Sequence, residues 1–104
     1  MGYGFMKCIC MTVLVNEYIG HELAELLSRL NISNECNLIY TDAISNLPVF
    51  LEKIGKNAGV IIPKTRVKEI SPLIRYINGK YKISTYIFIS EKLPENAILV
   101  CGKK

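Results

Sequence analysis

Tryptophan is absent from this 104-residue sequence, histidine occurs once, and no uncharged apolar run approaches the roughly 18 residues that cross a bilayer. No basic stretch precedes the apolar Cys8 to Val15 run and no small-residue cleavage site follows it, so a secretory leader is not expected. Gly2 lacks the Ser or Thr at position 6 that myristoylation requires. These absences predict a cytoplasmic protein without a membrane anchor. The four cysteines include neither a CxxC motif nor a second close pair, and with His21 the sole histidine no zinc-ligand pattern exists. The seven glycines are scattered, and neither a Walker pattern nor GxGxxG is present. No repeat and no low-complexity tract interrupts the chain.

What is present is the composition of one packed domain. Half the residues are apolar and 21% are charged, and a chain of this length buries roughly two-thirds of its unfolded surface. One domain over residues 1–104 is expected, with 1–5 as a flexible tail. The net charge of +4 conceals a division: up to Glu52 two basic residues face six acidic ones, whereas from Lys53 eleven basic face three acidic. Such asymmetry creates a basic surface for phosphate, nucleic acid or an acidic partner, lets two copies pair acidic face to basic face, or simply solvates the protein.

The run Met6 to Val15 is apolar at alternate and intervening positions, as in a central strand covered on both faces. Asn16 is placed to cap a helix whose residues Ile19, Leu23, Leu26, Leu27 and Leu30 share one face, with Glu25 and Arg29 paired on the outer one. Asn37 to Thr41 reads as a second strand, and Asn46 as the cap of a helix burying Leu47, Phe50, Leu51 and Ile54, with Gly55 near its stop. Ala58 to Ile62 is a third strand. Val67, Ile70, Leu73, Ile74 and Ile77 form a helical stripe, and Ser71-Pro72 marks the start of the helix proper, which ends at Gly79. Ile83 to Ile89 and Ala97 to Cys101 complete five strands. The expectation is an α/β domain of order βαβαβαββ: a small three-layer, Rossmann-like or flavodoxin-like sandwich whose mostly parallel sheet of about five strands has an antiparallel last strand. A connection of seven residues, Ser90 to Asn96, is too short for a parallel crossover.

Ligands of open α/β sheets bind beyond the carboxyl ends of strands. That rule selects Asn16 and Glu17, Thr41 and Asp42, Lys64, Thr65 and Arg66, and Ser90 with Glu91 and Lys92; Gly102, Lys103 and Lys104 drop out if the last strand is antiparallel. Lys64-Thr65-Arg66 is the strongest of these, because cations at a helix amino terminus add to its donors for phosphate. Cys8 and Cys10 share a strand face and read as core filler, while Cys36 and Cys101 are isolated in sequence. No residue is placed as a nucleophilic partner for His21, so no catalytic group, metal or cofactor is assigned. Tyr76, Tyr81 and Tyr86 lie among Arg75, Lys80 and Lys82, a mixture that single-stranded nucleic acid favours.

In element order and length the chain resembles a receiver-like, flavodoxin-like domain, and it is also similar to a small α/β component of archaeal-type rotary ATPases. A receiver carries an acidic pair after its first strand and an Asp ending its third. Here those places hold Asn16-Glu17 and Pro63-Lys64, and the Gly-Asp-like turn of the ATPase component is also missing. Phosphoryl acceptance is not expected. Three functions remain open: a non-enzymatic interaction or regulatory module, homodimeric or bound to an acidic partner; a binder of phosphate, nucleotide or nucleic acid through the basic second half; and a small enzyme with its site at the carboxyl ends of the first three strands, near Asn16, Glu17 and His21.

Overall fold

The computed structural model describes residues 10–54 and 58–102. In chain order these form β1 (Cys10–Leu14), α1 (Asn16–Arg29), β2 (Glu35–Tyr40), a 3-10 segment (Thr41–Asn46) leading into α2 (Leu47–Ile54), β3 (Ala58–Pro63), a second 3-10 segment (Lys64–Arg66) leading into α3 (Val67–Tyr81), β4 (Thr85–Ser90) and β5 (Ala97–Cys101). The expected tail at residues 1–5, the strand portion before Cys10, Cys8, Gly55, Lys103 and Lys104 lie outside the described residues.

The five strands form one sheet in the order β1-β2-β5-β3-β4. β1 pairs with β2, β2 with β5 and β5 with β3, all antiparallel, and β3–β4 is the one parallel pair among the described residues. This overturns the mostly parallel, Rossmann-like or flavodoxin-like sandwich, and with it the receiver-like resemblance. The two 3-10 segments are also absent from the expected βαβαβαββ order.

The physical reason lies in the connections. A helix between two strands permits parallel pairing without enforcing it. Here Gly20, at φ 80° and ψ 170°, breaks α1 after its first turn, in a region that residues with a Cβ avoid. The connection then returns to its origin: Val15 N–H donates to the Asn34 carbonyl at 2.9 Å and Ile32 N–H to the Leu27 carbonyl at 2.8 Å. β1, α1 and β2 therefore make a wide hairpin with a helix inserted at its bend. The short connection after β4 brings the chain over the end of β3 and into the gap beside β2, where β5 runs back through the sheet. Entering from the end at which β4 finishes, it needs no crossover along the strands.

Alternation along each strand divides the interior into two layers. Cys36, Leu38, Ile61, Leu99 and Cys101 meet Ile19, Ala24 and Leu27 of α1. Ile39, Val60, Ile62, Ile98 and Val100 meet Leu47 and Leu51 of α2 and Ile70, Ile74 and Ile77 of α3. β3 and β5 are buried throughout, as strands covered on both faces must be. A disulfide joins Cys36 to Cys101, which face each other across β2 and β5 with Cα atoms 4.3 Å apart, inside the α1-side layer.

The helix boundaries differ from the periodicity in instructive ways. Val15 precedes α1 with no side-chain cap, so Asn16 is the first helical residue. α3 begins at Val67 and carries Pro72 within it. The ring withholds one backbone donor, while the buried stripe of Ile70, Ile74 and Ile77 holds both sides of it in one helix. α3 runs past Gly79 and stops at Lys82, in the left-handed region at φ 56° and ψ 47°, with Ile83 N–H closing on the Asn78 carbonyl at 3.0 Å.

Candidate functional site

β2 and β3 both run against β5, and β4 runs with β3, so the carboxyl ends of β2, β3 and β4 emerge at one end of the sheet. Thr41, Lys64, Thr65, Arg66 and Ser90 follow or end those strands. β1 runs the other way, with Leu14 beside Glu35, yet the first turn of α1, which starts with Asn16 and Glu17, reaches the end of β4 at Tyr18.

At the shared end Arg66 acts as a tie. Its Nη1 donates to Thr41 Oγ1 at 3.2 Å and to the Glu95 carbonyl at 3.3 Å, and its Nε donates to Glu69 Oε1 at 2.6 Å. One side chain thus links the end of β2, the start of α3 and the β4–β5 connection. The hydrogen bond from Arg66, aided by its charge, holds the Glu69 carboxyl below the usual carboxylate range, and the same bond raises the Arg66 guanidinium further above its ordinary value. Lys64 Nζ donates to Glu91 Oε1 at 3.1 Å. Both members of that pair are well exposed, so its contribution to stability is small. Ser90, buried, donates from Oγ to the Tyr18 carbonyl at 3.4 Å and accepts from Lys92 N–H at 3.1 Å. Asp42 is exposed within the first 3-10 segment.

These side chains border a cleft of about 360 Å³ lined by Lys64, Thr65, Ser90, Glu91, Leu93, Pro94 and Glu95. One cation lines it against two carboxylates, and Arg66 is engaged by Glu69. A phosphate entering the cleft would meet Glu91 and Glu95 and compete with Glu91 for Lys64. Lys64 and Arg66, expected to form a basic surface, are thus each paired with a carboxylate, Lys64 with the distant Glu91 and Arg66 with Glu69 three residues on.

The aromatic residues are divided as well. Tyr76 and Tyr81 are exposed on α3, whereas Tyr86 alternates along β4 with Ile87 and shares the α1 side with Phe88. The three rings stand on opposite sides of the sheet and form no common stacking platform. His21 is exposed on α1. Among the described residues no group of three His, Cys, Asp or Glu side chains is placed to hold a metal, and no described helix is long and apolar enough to cross a membrane.

Three features were not foreseen from the sequence. The Cys36–Cys101 pairing depends on strand order. An apolar groove of about 330 Å³ lies between the first 3-10 segment, α2 and α3, lined by Ile44, Pro48, Leu73, Tyr76, Ile77 and Tyr81 with Ser45 and Lys80. The third is β4 itself, an outer strand of sequence TYIFIS with no charge and no proline, on which Tyr86 and Ile89 are 45% and 51% exposed. The apolar composition of β4 was visible in sequence; its edge position was not. The charge division of the sequence maps only in part onto the faces: Glu17, Glu22 and Glu25 lie on α1 with Arg29, whereas Lys68, Arg75 and Lys80 lie on α3 with Glu69, and Glu52 lies on α2 on that same side. Comparison of the chain with known protein families, with curated proteins and with solved structures finds no match.

Proposed function

We propose that this protein is a non-enzymatic interaction module that forms a homodimer by pairing the β4 edges of two copies. The uncharged β4 edge, unpaired among the described residues, carries the reading. An unpaired strand edge presents a row of backbone donors and acceptors, and soluble proteins ordinarily protect such an edge with charge, proline or a covering element. β4 has neither charge nor proline, and its exposed side chains are apolar or aromatic.

The strand is also self-complementary. A two-fold axis normal to the sheet keeps the α1 sides of both copies together, so paired residues must come from the same alternation. An axis at Ile87 sets Ile87 opposite itself, Tyr86 opposite Phe88 and Thr85 opposite Ile89 within β4. An axis at Phe88 sets Phe88 opposite itself, Ile87 opposite Ile89 and Tyr86 opposite Ser90. In either register no charged side chain of β4 opposes another. The pairing groups are apolar and backbone, so the dimer is insensitive to salt.

Light scattering at low and high salt tests this. The expected result is a dimer mass at both salts for the unaltered protein and a folded monomer for Ile89→Lys combined with Tyr86→Lys. Leu14→Lys on the other outer strand, where Leu14 is 55% exposed, is the control and leaves the dimer intact. A monomer at all concentrations, or a dimer dissolved by the Leu14 change and not by the β4 changes, refutes the assignment.

A further inference from the structure

The cations of α3 stand on two different flanks of the helix. Lys80 shares with Tyr76 and Glu69 the flank that walls the apolar groove against α2. Lys68 and Arg75 are seven residues apart, and Lys82, at the cap, is seven further on. Seven residues are close to two turns, so these three form a row along the other flank, about 10 Å apart along the axis. That flank faces β4, since Asn78 on the same side accepts through Oδ1 from Thr85 Oγ1 at 2.7 Å. All three cations are exposed.

The row has one sign. β4 beside it carries no charge. Glu69, on the groove flank, is held by Arg66 at 2.6 Å, and Glu91, past the end of β4, is held by Lys64 at 3.1 Å. Asp42 and Glu52 belong to the segments across the groove, and Glu17, Glu22 and Glu25 lie on α1, on the far side of the sheet. Among the described residues Lys68, Arg75 and Lys82 have no carboxylate within ion-pair distance. Between them the outward positions hold Pro72 and Gly79, both exposed, and nothing lies within 4 Å of where a Gly79 Cβ would stand. A long anion can therefore lie close along the helix. Lys82 takes the left-handed position, at φ 56°, where glycine fits with least strain, and adds there a charge that glycine would not.

We infer that the row Lys68, Arg75 and Lys82 binds the phosphate backbone of nucleic acid. Pro72 and Gly79 supply none of the large apolar groups that anchor a protein partner or enter a bilayer, whereas a phosphate chain is held by charge and by the counterions it releases. The tyrosines stand on opposite sides of the sheet and offer no common stacking platform, so the contacts are to the backbone and carry no base preference. Each copy of the chain carries a whole row, and the site does not depend on β4 pairing. In a β4-paired dimer the two rows border the joint.

Fluorescence anisotropy with labelled duplex DNA, duplex RNA and single-stranded RNA of mixed sequence, each at a series of salt concentrations, tests this. For a duplex, the logarithm of the affinity is expected to fall against the logarithm of salt with a slope of about −3 for one row, or about −5 where two rows hold one duplex. Scrambling the sequence leaves the affinity unaltered. Lys68→Gln combined with Arg75→Gln weakens binding about tenfold at low salt and flattens the slope by about 2 per row. Lys80→Gln, on the groove flank of the same helix, leaves binding unaltered, and circular dichroism is unchanged in both variants. The nucleic acid bound most tightly identifies the source of the phosphate backbone, and each of the three supports the inference. No binding at low salt, a slope near zero, equal weakening by Lys80→Gln, or tighter binding of polyglutamate or of phosphatidylserine vesicles than of any nucleic acid overturns it. The mass of the free protein in light scattering judges the β4 edge separately.

Discussion

Reducing the Cys36–Cys101 bond is expected to lower the stability of the protein by about 4 kcal/mol. The cross-link closes a loop of 65 residues, and the entropy it removes from the unfolded chain amounts to about 4 kcal/mol at 25 °C for that length. Against a stability of about 5–15 kcal/mol for a domain, this separates a robust fold from a marginal one. With a urea dependence of about 2 kcal/mol per molar, the unfolding midpoint falls by about 2 M on reduction. Both cysteines are buried, at 1% and 0% exposure, so a thiol reductant acts only when the sheet opens, and reduction is slow in buffer and fast in urea. The assay is urea unfolding followed by circular dichroism, with and without prior reduction, alongside peptide mapping of a non-reduced digest to locate the bond. A variant combining Cys36→Ala and Cys101→Ala serves as control and is indifferent to reductant. Superimposable curves for mapped oxidised and mapped reduced protein would refute the loop-closure reasoning, and a digest without the 36–101 link would refute the pairing itself.

Gly102→Ala is expected to cost about 1–3 kcal/mol, as overpacking does, because the new Cβ meets Ile54 Cγ2 and lies 2.8 Å from Ile54 Cβ; Ile54→Ala in the same chain recovers part of the loss, read as non-additivity of thermal unfolding. Two other glycines respond with opposite sign. Gly79→Ala, in α3 with nothing within 4 Å of its Cβ, stabilises by about 0.5–1 kcal/mol, whereas Gly20→Ala, at φ 80°, destabilises by about 1–3 kcal/mol; paired denaturation curves check the signs. The Glu69 carboxyl titrates below its unfolded value of about 4.3, so whatever stability the Arg66 contact supplies is present above that pH and is lost as pH falls through the lower folded value. Carbon-detected titration of Glu69 in the unaltered protein and in Arg66→Ala reads the shift directly, and equal midpoints would dismiss the Arg66 cause.

Local elements were legible because their signals are local. The stripe of Ile70, Ile74 and Ile77 and the apolar run Ala58 to Ile62 appear in the structure as a helix face and a central strand. Pairing sense was legible for the last strand, expected antiparallel and found so against β2 and β3; for β1 and β2 it was not, since it depends on where a connection ends. Nothing in the spacing of α1 reports that Gly20 breaks it or that Asn34 returns to Val15. The carboxyl-end rule named Thr41 and Arg66 without knowing that they touch. It missed Glu69 and Glu95 and gave no weight to the charge of Glu91, although these three decide the electrostatics of that end, because a helix turn and a loop are brought there by the fold. Tyr76 carried a readable signal: it falls off the isoleucine stripe by one position, as an aromatic residue left for the surface does.

The position of β5 has a consequence for how the chain assembles. β2 and β3 have no backbone bonds to each other; each pairs with β5, which lies between them. A chain synthesised as far as Asn96 therefore holds two unconnected strand pairs, β1 with β2 and β3 with β4, each with an inner edge waiting for the same partner. The sheet becomes continuous only when Ala97 to Cys101 slides into the gap, and Cys101 reaches Cys36 in that same event. Such pairing is wholly non-local, which is the slow kind. The fold is completed from its centre, by the last strand to appear, and until then both pieces carry the apolar edges of a sheet that does not yet exist.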